Sequence, residues 1–275
     1  MDIFAAARGN VTYLEDGLQT LLGAKPASET VLRQFAQQVE NQGCVSINMR
    51  QSVLISFLSL GRHQNIYEWA DYRARMSGRS PDAVMRERLG SYYEQRIAFD
   101  NHFDHGRQFR YGALNIGGLG TTAYGEFATC LDNRSFAVGA ELAYLRTDSL
   151  KTYLLPGPAV DEVTLCTELA PHSHRQFLAV LKLAAIIPLE PAPRWPVLLC
   201  SCDDYVEAIF TAEVTWKDVA QVRMGRSDHE LLFEYAFNSF REPLSEADRS
   251  LVNGFVLILQ KLEEYGIPLE VVDEA

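Results

Sequence analysis

The chain has no cysteines at C-x-x-C spacing, no internal repeat and no low-complexity tract. Its five cysteines, Cys44, Cys130, Cys166, Cys200 and Cys202, are odd in number and scattered. That excludes a disulfide framework and reads as reduced thiols of a reducing compartment. The pair Cys200-x-Cys202 has the wrong spacing for a zinc knuckle and reads as small apolar residues on a strand. Basic residues are scarce: 25 Lys and Arg stand against 36 Asp and Glu, for a net charge of −11. Nucleic acid and anionic membranes both need clustered cations, so neither is an expected partner, and a basic protein surface suits better. Long apolar runs are missing too. Phe177 to Leu189 is interrupted by Lys182 and is too short to span a bilayer. The opening segment MDIFAAARGNVTYLEDG carries acids and no long apolar stretch, so it does not read as a cleaved Sec signal. Also lacking are a P-loop, a nucleophile elbow, H-E-x-x-H and a dinucleotide-binding G-x-G-x-x-G.

What is present is the composition of an ordinary folded chain. It has 275 residues, 47% hydrophobic and 22% charged, enough for a core without disulfides. Residues 12–22 and 28–41 read as helices, with Ser28 as N-cap of the second. Gln42-Gly43 breaks into a strand at 44–50, and 51–61 reads as a buried helix ending at Gly61. Residues 65–76 mix aromatic and basic side chains in loose alternation. Ser80-Pro81-Asp82 is a strong helix start, followed by an apolar stripe through Val84, Met85, Leu89, Tyr92, Tyr93 and Ile97. Residues 99–108 read as a polar loop. Beyond 109, FRYGALNI, YGEFATCL, ELAYLRT, PVLLCSC, YVEAIF, EVTW and AQVRM read as strands between turn residues. One helix interrupts them at 172–186, and another closes the chain at 244–265. Helices grouped early and strands grouped late imply an α+β fold with a mixed or antiparallel sheet. The expected division is a helical lead-in, 1–43, before a catalytic domain, 44–275.

Two strand-like segments carry the sharpest chemical signal. In the first, period two puts Ser46, Asn48 and Arg50 on one face and Val45, Ile47 and Met49 on the other. In the second, Tyr205, Glu207 and Ile209 share a face. An arginine and a glutamate on half-buried strands must pair with each other or serve a ligand. Gly117-Gly118-Leu119-Gly120-Thr121-Thr122 reads as a hairpin loop. His102-x-x-His105 and His172-x-His174 lack a third ligand and read as loop and cap residues, so no metal is expected.

In order, VSINxR (45–50), Met76-Ser77-Gly78, RYGALN (110–115), Tyr124-Gly125, Thr147-Asp148-Ser149 and YVEA (205–208) resemble a bacterial family that shares a YGALN segment and a late YIEAQ-type strand. The layout over residues 44–223 is similar to mono-ADP-ribosyltransferase toxins of the Arg–Ser–Glu type. The resemblance implies an ADP-ribosyltransferase fold and NAD as substrate. Glu207 would be the catalytic acid on the ribose, Arg50 would grip the NAD phosphates, and Ser77, preferred to the helix-capping Ser80, would orient the ribose. Tyr111, Gly112 and Tyr205 would complete the NAD site, with Tyr111 stacking on nicotinamide. Such toxins often place an acid two residues before the glutamate. Tyr205 stands there instead, which favours a hydroxyl acceptor over arginine. Some similar effectors modify ubiquitin on threonine. The implied partner is therefore a host or competitor protein, with ubiquitin a candidate. The implied setting is a reducing host cytoplasm reached without a cleaved signal, or else the bacterial cytoplasm. Two rivals remain. One is a non-catalytic acidic interaction module in which Arg50 and Glu207 form a structural ion pair. The other is a hydrolase built from His, Asp and Ser in 99–149.

Overall fold

The computed structural model describes residues 1–134, 141–155, 159–238 and 244–273. Its strands are β1 (Cys44–Met49), β2 (Arg110–Asn115), β3 (Phe127–Leu131), β4 (Leu142–Leu145), β5 (Leu154–Leu155), β6 (Ala159–Val160), β7 (Leu169–Pro171), β8 (Glu207–Phe210), β9 (Val219–Gly225) and β10 (Leu269–Val272). Eight of them form one sheet in the order β10-β9-β3-β1-β2-β8-β4-β7, and β5 and β6 pair apart. Every pairing in that sheet is antiparallel except β9 with β10, which is parallel. The fold is α+β around a mixed sheet, as the grouping of elements along the chain implied.

Alternation along the strands gives the sheet two unlike faces. Val45, Ile47, Met49, Leu114, Phe127, Ala208 and Phe210 point into the main core. That core is closed by helices α2 (Val11–Ala24), α3 (Glu29–Gln42), α4 (Gln51–Leu60) and the later helices Arg175–Leu183 and Glu246–Tyr265. The expected lead-in supplies much of it: Leu14, Leu18, Leu22, Leu32, Phe35 and Val39 are all buried there. On the opposite face a second core forms over β4, β7 and β8. Ile3, Phe4 and Ala7 of α1 (Ile3–Gly9), together with Phe99 and Phe103, pack on Ala143, Leu145, Leu169 and Ile209. Between this second core and β3 the face is left polar over β1, β2 and the start of β8.

The structure corrects several local expectations. Residues 66–77 form a helix, α5, whose start is fixed by a capping box between Asn65 and Glu68. The stripe beginning at Ser80 is broken at Gly90, where φ is +56, into α6 (Pro81–Leu89) and α7 (Tyr93–His102), so residues 99–102 are helical and not loop. PVLLCSC is no strand: Trp195–Leu199 is a short helix with Pro196 in its first turn. EVTW gives a 3-10 turn, and Arg226–Asn238 is a helix the alternation did not suggest. The glycine loop is not a hairpin, because β2 and β3, which it joins, lie on either side of β1. Among the described residues no helix is long and apolar enough to cross a membrane.

Candidate functional site

The registers bring the polar positions of three strands onto one row. Ser46 of β1 pairs with Ala113 of β2, and Ala113 pairs in turn with Glu207 at the head of β8. Opposed residues of antiparallel strands share a face, so Ser46 and Glu207 lie on one floor, separated by a methyl group. Tyr111 and Asn48, two residues along their strands, extend the same floor. Above it stand Thr121 and Tyr124 from the β2–β3 loop, Tyr205 from the approach to β8 and Arg96 from α7, enclosing a cleft of about 160 Å³.

Glu207 is 3% exposed. The Ser149 amide donates to its Oε2 at 2.9 Å, and Oε1 has no protein donor among the described residues. Burial disfavours the charged carboxylate and pushes its pKa up to about 8; Arg96 opposes the rise, nearby Asp148 adds to it, and the hydrogen bonds from Ser149 oppose it. Ser149 is placed by Asp148, which caps the short helix Ser149–Thr152 by accepting from the Leu150 amide.

Arg96 is the cation of the cleft. Its guanidinium lies 3.7 Å over the Tyr111 ring and bonds Asp100 at 3.5 Å. Asp100, fully buried, also accepts from the Tyr111 hydroxyl and from Tyr67 at 2.8 Å. Arg96 therefore covers one face of Tyr111, leaving that ring less open to a nicotinamide than its position on the strand suggests. Tyr205 is 5% exposed, and its hydroxyl lies 3.5 Å from that of Tyr124. Its backbone is held by Lys182, which donates to Tyr205 O at 2.8 Å, Arg146 O at 2.7 Å and Asp204 at 2.5 Å. The lysine that interrupts the apolar stretch 177–189 is thus a buried tie between a core helix and the lead into β8.

Of the residues singled out in the sequence, Glu207, Tyr205, Tyr111 and Gly112 line this cleft. Gly112 contributes backbone alone; a Cβ there would press on Ser46 O and Val45 on the core side. Arg50 and Ser77 do not line the cleft. Arg50 is exposed just past the end of β1 and faces a separate open groove with Glu126 and Arg249. The alternation is as expected, but the β2–β3 loop crosses β1 between Asn48 and Arg50. Asn48 donates to Leu119 O at 2.9 Å and Gly125 O at 3.0 Å, while Gly125 lies against the Met49–Arg50 peptide. That wall separates Arg50 from Glu207, and the ion pair between them is not formed. Ser77 sits exposed at the end of α5, its hydroxyl turned back to Arg73 O at 2.8 Å, and Ser80 caps α6. The serines at the site are Ser46 and Ser149. Ser46 was legible from its shared face with Asn48; nothing in the local pattern marked Arg96, which comes from a helix.

The histidine pairs have other partners: His102 with Glu162 at 3.2 Å, His172 with Tyr144 at 3.1 Å and His174 with Glu15 at 3.3 Å. Among the described residues no group of three His, Cys, Asp or Glu side chains is placed to hold a metal. A scan against protein-family models finds no match to this chain, and a search of curated proteins finds no significant relative.

Proposed function

We propose that the chain is an NAD-dependent ADP-ribosyltransferase that modifies a protein side chain, with Glu207 at the reacting ribose. The observation that supports it is Glu207 itself: a buried carboxyl at the head of an inner strand, one oxygen fixed by a backbone amide, the other free, in a cleft walled by tyrosines. As nicotinamide leaves, positive charge builds on the ribose carbon. A carboxylate held in a water-poor cleft favours that charge more than it favours the ground state. Entry of the cationic nicotinamide beside Glu207 also draws off the proton that burial holds there.

A cleft of about 160 Å³ suits the nicotinamide-ribose end, with the rest of the dinucleotide outside. In this reading Tyr205 and Tyr124 offer ring faces to nicotinamide. Arg96 takes the anion-binding role first given to Arg50, and Ser46 the role given to Ser77. Tyr205 in place of an acid two residues before Glu207 favours a hydroxyl acceptor, and ubiquitin is the first protein to try.

The test is incubation with labelled NAD and either ubiquitin or a cell lysate, followed by mapping of the adduct. Glu207→Gln keeps the shape and removes the charge, so transfer should fall at least a few hundred-fold, the size of about 3–4 kcal/mol of lost stabilisation. Arg96→Lys should weaken NAD binding because an ammonium does not replace a planar fork, whereas Arg50→Ala should leave it unchanged. Undiminished transfer by a folded Glu207→Gln variant would sink the assignment.

A further inference from the structure

A second cavity, of about 350 Å³, lies away from the cleft, between α4 and α5, and shares no lining residue with it. Residues of α4 and of the 62–64 link line one side, and the aromatic and basic stretch at 65–76 lines the other with three residues the proposed chemistry leaves unused. As a helix, that stretch puts Trp69, Tyr72 and Arg73 on one face, three to four residues apart. All three line the cavity, and Arg88 reaches in from α6 with its guanidinium 5.8 Å above the Trp69 ring.

The charges here are unlike those around them. Residues 62–96 hold seven arginines against five carboxylates, in a chain of net charge −11. Arg62, at the rim, is matched by Glu68 at 3.5 Å and Glu213 at 3.6 Å. Arg73 and Arg88 have no carboxylate within ion-pair distance among the described residues. The floor holds a further unspent group: Nδ1 of His63 is buried without a hydrogen-bond partner, a state that costs about 1–3 kcal/mol unless something else meets it. Burial, with Arg110 adding, lowers the pKa of this imidazole to about 4, so it is neutral and able to accept or donate.

We propose that this cavity is a binding site for a nucleoside monophosphate or a similarly built aromatic anion. Trp69 and Tyr72 offer rings on which a base can stack. Two unpaired guanidiniums supply the forked donors that phosphate oxygens take in pairs. The cavity falls within the range of small-ligand sites. The site is independent of the reaction assigned to Glu207.

The experiment is calorimetric titration of the full chain at low salt with AMP, adenosine and inorganic phosphate. AMP should bind saturably, and adenosine and phosphate at least tenfold more weakly, because each satisfies half the site. Arg73→Ala with Arg88→Ala, both exposed positions, should weaken AMP binding at least tenfold. Trp69→Leu should do the same, while Trp69→Phe, which keeps a ring and the packing, should retain most of it. Glu207→Gln should leave AMP binding unchanged. The proposal is overturned if AMP does not saturate, if phosphate binds as tightly as AMP, or if AMP binding survives the arginine and Trp69→Leu changes or is lost with Tyr205→Ala in the cleft.

Discussion

Glu207 shows how one residue couples the chemistry of the cleft to the stability of the fold. Its pKa is raised from about 4.5 to about 8, chiefly by burial. A raised folded-state pKa means that the native protein holds the proton more tightly than the unfolded chain. The stabilisation is therefore complete below about pH 4.5, declines as pH rises toward 8, and is gone above it. The slope cannot exceed roughly 1.4 kcal/mol per pH unit, the value for one proton. Glu207→Gln resembles the protonated acid and does not titrate. Denaturant unfolding of the two proteins from pH 5 to 9 should show the parent losing stability through this window relative to the variant. Parallel curves would mean that Glu207 is ionised in the native state.

At the scale of elements, the β2–β3 loop walls the cleft with Thr121 and Tyr124 over the floor laid by β1 and β2. It is fastened by two asparagine side chains on the sheet. Asn115 accepts from the Gly117 and Gly118 amides at 3.0 and 2.8 Å, and Asn48 accepts from the Thr121 amide at 2.8 Å. The loop can lie this close only because Gly125 has no Cβ, which would collide with the backbone of Met49 and Arg50. Gly125→Ala should lift the loop from β1, cost about 1–3 kcal/mol, as overpacked sites do, and displace Tyr124. Thermal unfolding and NAD titration together test this: a variant with unchanged melting temperature and affinity would show that the loop is not held by that contact.

Across the whole molecule, the helical start and the sheet are one folding unit. Six side chains from residues 1–43, Leu14, Leu18, Leu22, Leu32, Phe35 and Val39, are buried in the core that backs the sheet. Each is worth about 1.5–3 kcal/mol when fully buried, so together they rival the roughly 5–15 kcal/mol that holds a domain folded. A protein starting at residue 44 should therefore fail to fold, as seen by loss of a cooperative melting transition. A stable, cooperative 44–275 fragment would show that the lead-in is dispensable.

The sequence alone determined what depends on local periodicity. Alternation at 44–50 and 204–210 separated Val45, Ile47 and Met49 from Ser46 and Asn48, and set Glu207 on one face with Tyr205 and Ile209, because strand geometry fixes side-chain direction within a few residues. Cap chemistry at Ser80-Pro81 and Ser245 marked two helix starts for the same reason. Helix α5 escaped notice because its buried face is built on two alanines, Ala70 and Ala74, while Trp69, Tyr72 and Arg73 line a cavity, so no stripe of large apolar side chains marks it. Only the tertiary structure decided which polar residues meet. Arg50 and Glu207 share a sheet face, yet a loop crosses between them. Arg96, from a helix more than 100 residues before Glu207, supplies the charge in the cleft. Strand order and loop path are settled by long-range packing, and neither is written in the spacing of residues along a single segment.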